Sequence, residues 1–159
     1  MRSVAIASLA WVCALGGCCD DAPCHSGLFW GAPLPGIDAS TVDGLTIRAC
    51  RNGACASGAL VAHPVQRLSQ ATLVAETMDA APTGQAQAYP DAYGTFTVHV
   101  AVFAGTTTLV DGDMYRIDVL DRSGTTVVSL PEESVTYAQD HPNGPDCPGS
   151  CVVAYRGTP

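Results

Sequence analysis

Residues 45–55 read LTIRACRNGAC, and this stretch predicts a β-hairpin closed by a disulfide. Asn52 and Gly53 are the preferred pair for a two-residue type I′ turn, because both turn positions need positive φ. The second pair of residues outward from that turn is Cys50 and Cys55, a non-hydrogen-bonded pair whose Cα atoms lie about 4.5 Å apart. A disulfide accepts this separation. Zinc-binding cysteines are more often about two to four residues apart, so the disulfide is preferred over a metal site.

Two further stretches alternate apolar and polar residues with the period of a β-strand. They span residues 95–103 and 115–121, and each predicts one face in the core and one face that is at least partly wet. His99 falls on the outer face of the first, and Asp118 on the solvent face of the second. The expected core positions are Phe96, Val98, Val100, Val102, Tyr115, Ile117 and Val119.

Shorter runs between turn residues predict the remaining strands. Residues 28–35 carry two aromatic residues among Gly and Pro, which is typical of an edge strand or a covering loop. Residues 79–91 contain two prolines and several alanines and are predicted to form a long loop. The other expected strands are 55–61, 71–77, 125–130, 134–137 and 152–155.

The spacing L-x-x-G-x-x-Y, from Leu109 to Tyr115, comes directly before the second alternating strand. It resembles the tyrosine corner of immunoglobulin-like and fibronectin type III domains, in which the tyrosine hydroxyl bonds back to the preceding turn. The resemblance covers residues 109–130 and implies an all-β fold, an antiparallel β-sandwich stapled by local disulfides. The long-range Cys…Trp…Cys arrangement of true immunoglobulin domains is missing, which favours a fibronectin type III-like or related sandwich.

Residues 1–17 have the parts of a secretory signal, with Arg2 as the basic region and an apolar run over residues 4–15. That run is shorter than the roughly 20 residues a membrane-spanning helix needs. Residues 15–18, Leu-Gly-Gly-Cys, resemble the lipobox of bacterial lipoproteins. In that family a diacylglyceryl group is added to the cysteine and signal peptidase II cuts before it. The resemblance implies lipidation of Cys18, and a cleaved signal that releases a soluble protein is the alternative.

The number of cysteines agrees with lipidation of Cys18, because an even number then remains for disulfides. The chain has 8 cysteines, of which Cys13 leaves with the signal and Cys18 is consumed by the lipid. Exported proteins prefer an even number of cysteines for disulfides. The predicted pairs are Cys50–Cys55 and Cys147–Cys151, with Cys19 and Cys24 left as an open third pair.

The resulting organisation has three parts. Residues 1–17 are the lipoprotein signal peptide, expected to be helical, residues 18–27 a lipid-anchored tether, and residues 28–159 the β-sandwich domain. We expect acylated Cys18 to hold the protein at the bacterial cell membrane or the outer membrane, with the domain exported to the periplasm or the cell surface.

The charge balance restricts the partners. The chain has 7 basic and 15 acidic residues and a formal net charge of −8 at pH 7. Nucleic acids need a basic surface that displaces counterions, so they are not expected partners. An envelope protein or a glycan remains possible, and nothing in the sequence indicates an oligomeric state.

Three groups of residues contain side chains that could bind a metal ion, and each group has a simpler interpretation. Two aspartates and a histidine lie in a polar linker, four aspartates lie in turns that do not match an EF-hand, and one histidine–cysteine group has only three ligands in an oxidising setting. We therefore expect no metal and no cofactor. The groups are Asp20, Asp21 and His25; Asp111, Asp113, Asp118 and Asp121; and His141, Cys147 and Cys151.

No Gly-x-Ser-x-Gly, His-Glu-x-x-His or Cys–His pattern suggests catalysis. The expected function is therefore a non-enzymatic interaction or structural module at the cell envelope. The alternative is a lipoprotein that binds a sugar or a divalent cation, through its acidic outer face or the predicted loop at 79–91.

Overall fold

The computed structural model describes residues 25–63, 68–76, 82–105, 107–141 and 150–157. All regular structure in these residues is β, and they contain no helix able to span a bilayer. The strands are β1 (Gly27–Leu34), β2 (Thr46–Arg51), β3 (Ala54–Ala59), β4 (Val61–His63), β5 (Leu68–Ala75), β6 (Thr83–Pro90), β7 (Phe96–Phe103), β8 (Met114–Leu120), β9 (Thr126–Ser134), β10 (Ala138–Asp140) and β11 (Cys151–Gly157).

The predicted hairpin is confirmed in its turn, its register and its disulfide. Strands β2 and β3 pair so that Cys50 lies opposite Cys55, and the two sulfurs are bonded with the Cα atoms 4.0 Å apart. Asn52 and Gly53 form the turn with φ values of 50° and 83°. Positive φ at both positions is what a type I′ turn requires.

One hydrogen-bonded path connects the strands in the order β10-β11-β1-β7-β6-β5-β3-β2-β8-β9, with β4 beside β5. We call β10, β11, β1, β7 and β6 the first sheet and β3, β2, β8 and β9 the second sheet. Strand β5 joins them, because residues 69–73 pair with β6 and residues 74–75 pair with β3. Buried residues of both sheets form a single hydrophobic cluster, as in a β-sandwich.

The first sheet is mixed, whereas the sequence predicted an antiparallel sandwich. Strand β1 pairs antiparallel with β7 and parallel with β11, so it lies inside the sheet and is neither an edge strand nor a covering loop. The proline that suggested an edge is accommodated because the pairing with β11 ends at Gly31, two residues before Pro33. The N-terminal and C-terminal strands of the described chain are thus neighbours.

The predicted loop at 79–91 is wrong for residues 83–90, which form β6. Its inward positions are Gly84, Ala86 and Ala88, all of them buried. Small residues carry little hydrophobic signal, so this alternation is weak in the sequence, and packing between β5 and β7 selects the strand. At Gly84 the fit is close, because a Cβ there would lie 2.4 Å from the carbonyl oxygen of Ala101.

The core positions predicted from alternation are confirmed, since all seven are buried. Asp118 is a correction, because it is buried instead of solvent-facing. Arg48 lies opposite it on β2, and the Arg116 guanidinium binds its carboxylate at 2.8 Å and covers it. The strand expected at 134–137 is also wrong: β9 extends to residue 134, and the short β10 begins at residue 138.

We predict that Gly84→Val lowers the free energy of unfolding by about 1–3 kcal/mol, the usual cost of overpacking a filled interior. The added side chain would meet backbone on β7, which cannot move without disturbing the ladder. Thr83→Val, at the exposed neighbouring position, is the matched control and should change little. Denaturant unfolding measures both, and an equal effect of the two substitutions would contradict the close approach.

Candidate functional site

A groove of about 800 Å³ lies on the outer face of the first sheet. This volume falls within the roughly 300–1,000 Å³ of small-molecule sites. Gly31 and Gly157 lie opposite each other on β1 and β11, and Ala101 faces Phe29 on β7. These small residues leave the centre of the sheet face open. We call this site the aromatic groove, because aromatic side chains border it.

Phe29 and Tyr155 form one wall of the aromatic groove. They are partners in the parallel β1–β11 pairing, and their rings stack with centroids 5.6 Å apart at an interplanar angle of 28°. The Tyr155 hydroxyl donates to Asp140 Oδ2 at 3.2 Å, which orients a side chain that is otherwise 61% exposed. At one end of the groove His25 packs on Phe103, with ring centroids 5.0 Å apart.

The opposite wall comes from β6 and β7 and is polar. Gln85 pairs with Ala101 and Gln87 with His99, and both glutamine side chains are exposed. Tyr89 stacks on His99 at 5.0 Å and 8°, and its hydroxyl is hydrogen-bonded to His99 Nε2 at 2.8 Å. Burial lowers the pKa of His99 from 6.5, so this imidazole is uncharged at pH 7.

The described lining of the aromatic groove contains no carboxylate, although the chain as a whole is acidic. Its one permanently charged group is Arg156, whose Nε donates to Glu133 Oε1 at 2.6 Å. This ion pair offsets the positive charge. The groove is therefore close to electrically neutral at pH 7.

A second group of polar side chains lies between the β2–β3 turn and the segment before β8, and we call it the polar cluster. It consists of Arg51, Asn52, Asp113, Tyr115 and Tyr137. Arg51 Nε and Nη2 donate to Asp113 Oδ2 at 3.0 and 2.7 Å, and the two side chains are 7% and 1% exposed. Asn52 Nδ2 donates to Asp113 Oδ1 at 2.8 Å, and the Tyr137 hydroxyl donates to Oδ2 at 2.9 Å.

Tyr115 is fully buried, as the tyrosine-corner resemblance implies, but its hydroxyl has a different partner. It is hydrogen-bonded to the Tyr137 hydroxyl at 2.8 Å, and Tyr137 then reaches Asp113. The connection to the preceding turn is therefore indirect. Tyr137 follows β9 in the chain, so this bond depends on the tertiary fold and has no local sequence signal.

Hydrogen bonding controls the ionisation of Asp113. Burial alone would raise its pKa, but donation from Asn52, the Val110 N–H, Tyr137 and Arg51 outweighs burial and holds the pKa below 3.8. Burial, followed by the interactions with Tyr115 and Asp113, raises the pKa of Tyr137. Charges that are fully paired in this way hold structure together and leave no free acid or base for chemistry.

The described cysteines and Tyr115 do not line the aromatic groove, whereas His25, considered above as a metal ligand, lines one end of it. Cys50 and Cys55 cap the β2–β3 hairpin of the second sheet. Cys151 is disulfide-bonded, so it is no thiolate ligand for the group containing His141. Its predicted partner lies outside the described residues, as does the predicted signal peptide. The cysteines outside the described residues are Cys13, Cys18, Cys19, Cys24 and Cys147.

No cluster of three metal-ligating side chains occurs in the described ranges. The four aspartates considered for calcium serve other contacts. Asp113 and Asp118 bind arginines, and Asp121 accepts hydrogen bonds from Ser123 and Thr125 in its own turn. Asp111 accepts from the Tyr137 N–H.

Sequence reasoning missed the aromatic groove. Phe29 and Tyr155 come from opposite ends of the domain, and the glutamines come from the stretch that was predicted to be a loop. The usable signal was the alternation of Gln with small residues in 83–88. The parallel pairing of β1 with β11 has no such signal, because the two strands are separated by nearly the whole chain.

We predict that Asp113→Asn lowers the free energy of unfolding by about 3–5 kcal/mol at pH 7, because it leaves the Arg51 charge buried without a counter-charge. Glu76→Gln is the matched control. It removes the exposed Arg48–Glu76 pair, and it should cost about 1 kcal/mol or less. Chemical denaturation of both variants measures the difference. Equal losses would show that the buried pair contributes no more than a surface pair.

The same pair predicts an acid-sensitive contribution to stability. Because the pKa of Asp113 is lower in the folded state, its contribution is complete above the ordinary value of 3.8 and is lost as the pH falls through the lower folded value. The stability difference between the wild type and Asp113→Asn should therefore shrink below about pH 3.8. Denaturation series at several pH values measure this, and a constant difference would contradict it.

Comparison with known proteins supplies no relative. No family model matches the chain, and no curated protein or solved structure matches it significantly. The function therefore has to be argued from the chemistry of the aromatic groove itself.

Proposed function

We propose that this chain is a lipid-anchored binding module of the bacterial cell envelope, without enzymatic activity, whose ligand occupies the aromatic groove. The observation that carries the proposal is a neutral, aromatic groove on the outer face of a sheet whose interior face is already packed. Monomeric domains rarely leave a large apolar surface open unless it binds something. The Cys50–Cys55 disulfide supports an exported location, since disulfides persist outside the cytosol.

The lining supports binding in preference to catalysis. Its described residues include no Ser, Cys or Lys nucleophile and no carboxylate pair of the kind glycosidases use. Nε2 of His99 is hydrogen-bonded to the Tyr89 hydroxyl, so this nitrogen already has a partner within the fold. The sequence also allowed a protein that binds a divalent cation, but the described ranges contain no cluster of three metal-ligating side chains to support that function.

We infer an immunoglobulin-like strand order, which supports the role of a binding module. In that fold one sheet contains strands A, B, E and D, and the other contains G, F and C, with C′ added in variable-type domains. The order β9-β8-β2-β3 agrees with G-F-C-C′, and β1-β7-β6 agrees with B-E-D. Tyr115 then lies near the start of the strand equivalent to F, where the family has its tyrosine. The chain departs from the family at position A, which the parallel β11 occupies.

We predict that the mature protein begins at an acylated Cys18. Intact-mass measurement on the natively expressed protein should show the loss of residues 1–17 and the added mass of acyl chains. Cys18→Ser should abolish both and shift the protein out of the detergent phase, while Cys19→Ser should leave both unchanged. An unmodified Cys18, or a mature chain that begins elsewhere, would contradict the anchor.

Binding through the aromatic groove is tested with envelope material. The full-length protein in detergent should co-sediment with the isolated insoluble envelope of the host cell. Ala101→Trp, which places a large ring on the groove floor, should abolish co-sedimentation. Tyr93→Ala removes a ring that is 94% exposed in the 91–95 turn and should have no effect. Undiminished sedimentation of Ala101→Trp, with thermal unfolding like that of wild type, would refute the binding role of the groove.

A further inference from the structure

We propose that the aromatic groove binds a neutral oligosaccharide, which stacks against the Phe29–Tyr155 wall and is hydrogen-bonded by the glutamines of β6. This inference rests on the proposed binding function and assigns its ligand class. It follows from the shape of the groove floor, the hydrogen-bonding groups of the polar wall and the charge balance of the lining.

The shape of the floor suits a sugar ring beside an aromatic wall. Gly31 and Gly157 are opposite each other, two residues along from Phe29 and Tyr155 on the same strands. Residues two apart in a strand point to the same face, so Gly31 adds no side chain beside Phe29. Gly157 also adds none, because its Cβ position is taken by the Gly31 backbone. The face of an aromatic ring carries negative charge density and attracts the positively polarised C–H groups of a pyranose.

The opposite wall offers what sugar hydroxyls need. Each glutamine amide has two N–H donors and an acceptor oxygen, and a hydroxyl both donates and accepts. Gln85 and Gln87 lie on the outward face of β6, across Ala101 and His99 from the aromatic wall. An acyl chain in the same place would leave these amides without partners, which costs free energy. The pattern of one aromatic wall and one amide wall therefore favours a sugar over a lipid.

Charge selects a neutral sugar. A cationic ligand would find no carboxylate in the described lining. For an anionic ligand, the charge of Arg156 is already offset by Glu133 at 2.6 Å, and its Nη1 and Nη2 donate to the carbonyl oxygens of Tyr155 and Ser134. The uncharged His99 adds no attraction at pH 7. Uronic acids and other acidic sugars are thus disfavoured.

The proposed anchor places this ligand near the lipid surface. His25, which lines one end of the groove, is seven positions after Cys18, and a fully extended chain over that interval spans at most about 25 Å. A lipidated Cys18 therefore keeps that end of the groove within reach of glycans close to the membrane. Glycans in the outermost layers of the envelope would be out of reach.

The test is calorimetric titration of the full-length protein in detergent against cellotetraose, chitotetraose and maltotetraose, with tetragalacturonate as the acidic probe. At least one neutral tetrasaccharide should bind with a dissociation constant of about 1 mM or tighter. Tyr155→Ala should weaken that binding at least about tenfold, as expected for loss of a central aromatic contact. Tyr93→Ala, which lies outside the groove, should bind like wild type. Tyr155→Phe keeps the ring but loses the bond to Asp140, so it should weaken binding less than Tyr155→Ala.

Three outcomes would overturn the inference. One is tighter binding of tetragalacturonate than of any neutral probe, and another is sugar binding that Tyr155→Ala leaves unchanged while the variant unfolds like wild type. The third is no binding by any probe. If the third outcome occurs while Ala101→Trp still abolishes envelope sedimentation, the binding function stands and only the ligand class is wrong. If envelope sedimentation also survives Ala101→Trp, both proposals fail.

Discussion

The buried ion pair between Arg51 and Asp113 sets the geometry of the second sheet. Removing two charges from water is costly, and the cost is offset only when every remaining donor and acceptor finds a partner in a fixed geometry. Asn52 and Tyr137 supply those partners from the hairpin turn and from the segment after β9. The pair therefore stabilises one arrangement of three chain segments. Any displacement of a segment would leave a buried charge without its partners, which costs free energy. With the turn fixed against the segment before β8, β2 and β8 align over six residue pairs.

The first sheet depends on a different constraint, the pairing of β1 with strands that are distant in the chain. Strand β1 lies between β7 and β11, so its ladder is complete only when the C-terminal strand is in place. Gly157 adopts φ of +81°, and a Cβ there would lie 1.9 Å from the Gly31 carbonyl oxygen. Only glycine permits this approach. The same requirement keeps position 157, which lines the aromatic groove, free of a side chain, so a structural need of the sheet also shapes the proposed binding surface.

The two sheets thus differ in their roles. The second sheet contains the Cys50–Cys55 disulfide, and the polar cluster beside it pairs the buried charges of Arg51 and Asp113, so this part of the molecule provides stability. The outer face of the first sheet has exposed rings and amides that make few contacts within the fold, and it provides the surface proposed to bind the ligand. The described lining of the groove, which contains no carboxylate, contrasts with the formal net charge of −8 of the whole chain, so the proposed ligand surface differs in charge from the rest of the protein.

Local patterns in the sequence determined the all-β class, the β2–β3 hairpin with its Cys50–Cys55 bond and the inward faces of β7 and β8. Each of these follows from turn chemistry or a period of two residues, which neighbouring residues encode without help from the rest of the chain. Only the tertiary structure decided that residues 83–90 form a strand, that Asp118 is buried and that the Tyr115 hydroxyl pairs with Tyr137. It also decided the aromatic groove, because the parallel β1–β11 pairing brings Phe29 beside Tyr155 from opposite ends of the domain. Three kinds of contact decide these features: small residues packed between strands, buried carboxylates paired with arginines, and pairings between distant strands. Each is stabilised by partners far away in the sequence, so no short stretch of sequence predicts it.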